Sequence, residues 1–312
     1  MCLFQASNIT SPRSASCGPR LLLALGLTLL SCSIASAQAN KTVAQDTTLV
    51  TKDGQEIKIT YFKSAAGQEA PVVILLHGKG GNRLIWKGFA EQLQKVDFAV
   101  VTVDLRGHGE SSGGGGGTNK KPEPPKKGDY LNMVRFDLEA VKKFLFDEHQ
   151  NKQLNMNKLG IVAADETTPV AIAYAELDWE KPDYDDAPTP IQRTPRGRDV
   201  QALALLSPEG NVPGLGTNKT LAGIRTLKLP VLIAVGSKNG PDLAAANKMH
   251  DILAPKKEGF EQMYLEQYDT KLRGTDLLGK GLKVEQHLFN FLIKHVKELR
   301  SEWRDRKSKL LD

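Results

Sequence analysis

Beyond position 32 the 312-residue sequence contains no cysteine, since Cys2, Cys17 and Cys32 all lie near its start. From residue 33 onward, disulfides, cysteine nucleophiles and thiolate metal sites are therefore excluded. Aromatic residues make up only 6% of the chain, and none interleaves with the basic stretches as in a nucleic-acid-binding face. No apolar run approaches the roughly 20 residues that a membrane-spanning helix needs. A phosphate-binding Gly-x-x-x-x-Gly-Lys-Ser/Thr string, a dinucleotide fingerprint and a close His/acid ligand pair are all missing from the strand-to-helix junctions, so neither cofactor nor metal is expected.

What is present is ordinary globular composition, 40% hydrophobic and 25% charged, which suits one sizeable core. At the N-terminus Arg13 and Arg20 precede an apolar run over residues 21–30 and the triplet Ala35-Ser36-Ala37. That order predicts a secretory signal peptide over residues 1–37, followed by a flexible segment over 38–46, with delivery to the periplasm or the outside of the cell. Two other readings are an uncleaved anchor, which Gly26, Thr28 and Ser31 argue against, and a lipid anchor on Cys32 in Leu-Leu-Ser-Cys. Losing Arg13 and Arg20 from the net charge of +6 leaves about +4, an excess that favours solubility rather than a polyanion partner. The expected partner is a small molecule or a cell-envelope component, not nucleic acid.

Residues 47–50 and 56–62 are β-branched runs flanking Lys52-Asp53-Gly54, a hairpin signal. Continuous apolar runs follow at 72–76, 99–103, 159–163, 203–206 and 231–235, the mark of strands buried on both faces. Amphipathic segments at 84–96, 130–149, 169–177, 221–227 and 243–253 alternate with them, which predicts an α/β fold with a mostly parallel sheet and right-handed crossovers. A last strand near 262–267 and a long helix from Val284 towards Arg304 complete a domain over 47–300. The 301–312 tail, with Arg304, Arg306, Lys307 and Lys309, reads as a solvated basic helix end. Two segments break the alternation: a Gly/Pro/Lys-rich stretch at 112–128, expected to be a mobile loop, and a Pro-, Asp- and Arg-rich excursion at 179–199.

Two motifs after consecutive strands make the fold specific. They are His77-Gly78-Lys79-Gly80-Gly81 and Asp104-Leu-Arg106-Gly107-His108-Gly109-Glu-Ser111. Over residues 47–296 the chain resembles the α/β-hydrolase superfamily, particularly its serine aminopeptidase, lysophospholipase and dienelactone-hydrolase-like branches. The resemblance implies an α/β-hydrolase fold with helices on both faces of the sheet. No cap domain is expected, because few residues follow Leu206 before the next helix. It also implies an oxyanion hole built from the N–H groups of Lys79 and of Glu166, the residue after the nucleophile position.

The resemblance then locates the machinery and finds other residues in it. The Gly-x-Ser-x-Gly elbow corresponds to Ala163-Ala164-Asp165-Glu166-Thr167, placing Asp165 in the nucleophile position without the elbow glycines. The His-Gly-x-x-Leu loop corresponds to Arg273-Gly274-Thr275-Asp276-Leu277, with Arg273 in the histidine position; arginine stays protonated and cannot act as a base. The acid position reads Asn239, with Asp242 and Glu209 as alternative acids.

Two roles are open to Asp165: an aspartate nucleophile, or the N-cap of the following helix, with Glu166 favoured by that helix's dipole. Asp165 and Glu166 beside Asp276 form a weak candidate for a divalent cation. Arg273 is expected to pair with Asp165 and Glu166 and to lower their carboxylate pKa values. Three replacements in three converging loops predict a non-catalytic or severely impaired protein. The alternative is an active hydrolase of ester or amide bonds working through Asp165.

Overall fold

The computed structural model describes residues 43–112, 125–254 and 262–311. The expected signal peptide, the segment up to residue 42 and residues 113–124 of the Gly/Pro/Lys-rich stretch lie outside the described residues.

The chain opens with the antiparallel pair β1 (Gln45–Val50) and β2 (Glu56–Phe62). In their turn the Thr51 hydroxyl donates to Asp53 and accepts the Gln55 N–H. The parallel strands follow: β3 (Val72–Leu76), β4 (Ala99–Asp104), β5 (Leu159–Ala164) and β6 (Val200–Leu206). After the short hairpin β7 (Asn211–Val212) and β8 (Leu215–Gly216) come β9 (Val231–Gly236) and β10 (Met263–Tyr268). The main sheet has the order β1-β2-β4-β3-β5-β6-β9-β10, and within it antiparallel pairing is confined to β1–β2 and β2–β4. This is the mostly parallel α/β sheet that the apolar runs predict.

Helices cover both faces, as strands buried on both sides require. On one face, α1 (Lys87–Gln94) and α7 (Val284–Leu292) send Phe89, Leu93, Leu288 and Phe291 against Val73, Leu75 and Val162. On the other lie α3 (Leu138–Gln150), α4 (Thr168–Glu180), α5 (Asn218–Leu227) and α6 (Gly240–Leu253). Their Val141, Leu145, Ile172, Ile224 and Met249 pack on Ile74, Ile161 and Leu203. Successive strand residues thus feed alternate cores, as the period of two dictates.

Three local expectations need correction. Helix α2 (Lys127–Asn132) already includes the end of the supposed loop. It continues through a π-helical turn at Met133–Asp137 into α3, and that turn carries Asp137 inward, where its Oδ1 accepts from Nε of Arg106 at 2.9 Å. The C-terminal helix does not run to Arg304: a second π-turn ends it at Lys297. The tail beyond is not a solvated basic helix, because Arg306 and Ser308 are 3% and 0% exposed. Past the end of α4 at Glu180 the 179–199 excursion is irregular apart from one turn at Pro190–Gln192; the N–H of Thr194 donates to Asp186 at 2.9 Å within it, and Ser308 of the tail donates to Asp186 at 2.7 Å. No helix among the described residues is long and apolar enough to cross a membrane.

Candidate functional site

The site lies where β3, β5, β6 and β9 end. Asp165 follows β5 directly, with φ of +50°. This left-handed geometry is uncommon outside glycine, though aspartate and asparagine tolerate it best. The strained elbow is therefore kept although its flanking glycines are gone. In the second glycine's position Thr167 is fully buried, and its hydroxyl bonds the carbonyl oxygens of His77 and Ala164, each at 3.0 Å.

The Asp165 side chain does not cap α4, which corrects the capping reading. The N-cap residue of that helix is Thr167, which makes no side-chain cap bond. The carboxylate instead turns between two loops, in a space open only because Gly78 and Gly274 lack side chains. A Cβ on either glycine would collide with Asp165 Oδ2, and Gly274 also has a φ of +51°. The backbone N–H of Lys79, the expected oxyanion donor, faces this carboxylate. Gly274 is fixed from behind by its own N–H donating to the buried Ser207 hydroxyl at 2.9 Å.

Arg273 stands against Asp165, as the expected charge pair requires. Its Nε is 3.1 Å from Asp165 Oδ1 and 3.2 Å from Asp242 Oδ2, and its Nη2 is 3.2 Å from Glu209 Oε1. The Glu209 contact is a hydrogen bond. The Nε–H is aligned with neither aspartate, so those two contacts are ion pairs without a hydrogen bond. One guanidinium thus faces three carboxylates. Asn239 does not join them, because its side chain caps α6 by accepting the N–H of Asp242 at 3.4 Å.

The expected direction of the Asp165 pKa is overturned. Burial dominates Arg273, and with repulsion from Glu209 and Asp242 it pushes the Asp165 carboxyl up to about 6. Asp242 is likewise raised by burial against the pull of Arg273. For Asp165 the charged form is disfavoured on folding, so its contribution to stability falls as pH rises from about 4 to about 6. Replacement with asparagine, which suits the backbone, removes that dependence. The stability gap between Asp165→Asn and wild type should open in the variant's favour by about 2–3 kcal/mol between pH 4 and pH 7. Urea unfolding across this range measures it, and parallel curves would show that Asp165 ionises normally.

Glu166 points away from Arg273. Its Oε1 is 3.1 Å from His108 Nε2, and its Oε2 accepts from Tyr130 Oη at 2.9 Å. Burial opposes its charge, yet the His108 and Tyr130 hydrogen bonds hold its pKa below the ordinary value. The expected Glu166–Arg273 pair is thus replaced by a Tyr130–Glu166–His108 cluster that the sequence reading missed; the signal was His108 itself, in the motif after β4. The neighbouring His77 holds the Gly78 carbonyl at 2.9 Å, and burial followed by the proximity of His108 brings its pKa down to about 4. His149 lies on the Arg304 carbonyl, His287 and His295 on Tyr268 and Tyr264, and His250 beside Asp251. None of the six histidines hydrogen-bonds Asp165. Asp276 is exposed, and among the described residues no group of three His, Cys, Asp or Glu side chains is gathered to hold a metal ion.

Comparison with known proteins agrees with this fold. A family model of the α/β hydrolase fold matches residues 71–179. Protein phosphatase methylesterase 1 of Bos taurus is 44% identical over 55 residues, 17% of this chain and 14% of that protein; the Mus musculus protein matches equally. The chain thus spans about one seventh of the length of these curated relatives. Among solved structures, an esterase from Pyrococcus furiosus superposes with a TM-score of 0.57 at 16% identity, covering 82% of this chain and 93% of that one. The dienelactone hydrolase of Anabaena variabilis gives 0.50 at 15%, covering 82% and 99%. The chain has the α/β-hydrolase fold.

Proposed function

We propose that this protein is an exported, non-catalytic member of the superfamily that binds a ligand or an envelope partner through the rim of the former active site. One observation carries this reading: the Arg273 guanidinium pairs with Asp165, the two residues that the resemblance sets in the positions of base and nucleophile. An ester formed on Asp165 needs a water activated by a base, and no imidazole reaches that carboxylate. The Lys79 N–H, which an oxyanion would use, already faces the Asp165 carboxylate. Export rests on the Arg20 to Ala37 pattern.

The second reading, an active hydrolase, draws on the retained left-handed elbow and on a carboxyl raised to about 6, a value suited to proton transfer near neutrality. Turnover of p-nitrophenyl esters and of peptide amides by wild type and Asp165→Ala separates the two. The expected result is a rate at background for both. A wild-type rate well above background that Asp165→Ala abolishes would establish the hydrolase.

A further inference from the structure

Helix α3 buries Leu138, Val141 and Leu145 in the core, and its Phe144 and Phe146 pack against that core while only partly buried. A neighbouring face, set by Phe136 of the preceding π-turn and by Ala140, Lys143 and Phe146 of α3 at spacings of three and four, borders a cleft of about 300 Å³. The cleft runs between α3, the end of β1 and the 179–199 excursion. Its apolar wall is Val50, Phe136, Ala140, Phe146, Pro195 and the buried Met156. None of the replaced catalytic positions lines it.

The polar part of the lining is one-sided. Lys52, Lys142, Lys143, Lys181, Arg196 and Arg306 are there, against the single acid Glu139. Four of these cations are committed elsewhere. Lys142 and Arg306 are tied to Asp199, Lys181 holds Glu139, and Lys143 pairs with Asp147 along the helix at 2.9 Å. Lys52 and Arg196 have no carboxylate partner among the described residues. Arg196 is nevertheless positioned: its guanidinium carbon lies 5.1 Å from the centre of the Tyr184 ring, and its carbonyl accepts from Lys142 Nζ at 3.0 Å.

We propose that this cleft binds a small amphiphilic carboxylate, with its anionic head at Lys52 and Arg196 and its apolar tail along Phe136, Ala140 and Phe146. The sign of the head group follows from the two unpaired cations, and a guanidinium matches a carboxylate in two-point geometry. The tail follows from the wall, where burying apolar surface supplies the affinity. The volume lies at the lower end for small-ligand pockets; a medium-length acyl chain or a single aromatic ring fills it, and a helix or a folded partner does not. Every group involved lies outside the former active site, so this proposal stands independently of the fate of catalysis.

The probe is sodium decanoate below its micelle-forming concentration, titrated by calorimetry and by NMR shifts of α3, with decanol and acetate alongside. Decanoate should bind at one site. The Lys52→Ala/Arg196→Ala double variant, altered only at exposed positions, should weaken it at least tenfold. Decanol should bind at least tenfold more weakly, and acetate not measurably. Ala140→Trp, which fills the cleft, should block decanoate while the circular dichroism stays that of wild type. The proposal is overturned if decanoate does not bind, if the double variant binds it as wild type does, or if decanol binds equally well. Should Ala140→Trp fail to fold, the double variant and the decanol comparison decide the matter.

Discussion

Replacing Arg306 with alanine should lower the free energy of unfolding by about 3 kcal/mol, within the range for breaking a buried ion pair. The guanidinium is 3% exposed and reaches both oxygens of Asp199, itself fully buried. Its Nε donates to the Pro195 carbonyl at 3.1 Å and its Nη1 to Asn157 Oδ1 at 2.6 Å. Without it, Asp199 and the equally buried Asp178 share the single ammonium of Lys142, and one buried negative charge is left uncompensated. Lys142 keeps the loss from reaching the upper end of that range. Arg306→Lys should recover little, because one ammonium on a flexible stem cannot span Asp199, Pro195 and Asn157 together. Chemical denaturation is the measurement. A midpoint within error of wild type would mean that the tail is not docked in solution.

How much of this was legible in the sequence depended on whether the signal was local. The buried strands were, since continuous apolar runs between turn residues have few other fates. The loop positions of Asp165 and Arg273 were legible because motifs fix the distance of a residue from the end of its strand. The docking of Arg306 was not: its partner Asp199 lies 107 positions away, and a basic tail with interleaved acids has the same pattern whether solvated or buried. The direction of the Asp165 ionisation was missed for a related reason. The sequence supplied the opposite charge, but the burial that outweighs it and the approach of Glu209 and Asp242 exist only once four strand ends have converged. Asn239 shows a different limit: the motif gives its position, but that its side chain is spent on capping α6 is seen only in the structure.

Arg273 provides the second large effect, and its signature is a dependence on pH. Arg273→Ala leaves Asp165, Glu209 and Asp242 facing one another without a cation. The Arg273 side chain is 39% exposed, so solvent screens part of this repulsion, and the expected destabilisation at pH 8 is about 2 kcal/mol. The carboxyls of Asp165 and Asp242 lie above their ordinary values even with Arg273 present, and its removal raises them further. A carboxyl whose pKa is raised on folding loses stability as pH climbs from its unfolded value through its folded one. The deficit of Arg273→Ala should therefore be small near pH 4 and grow through pH 6 and beyond. Adding Asp165→Asn removes the most buried of the three charges. The double variant should thus be more stable at pH 8 than the sum of the two single effects relative to an uncoupled pair, by about 1 kcal/mol. On the proposed non-catalytic reading, ester turnover should not change in any of these variants, since a guanidinium stays protonated and does not act as a base. If the Arg273→Ala deficit stays constant from pH 4 to pH 8, the arginine contributes packing rather than charge, and the account of the site as a retained ion pair fails.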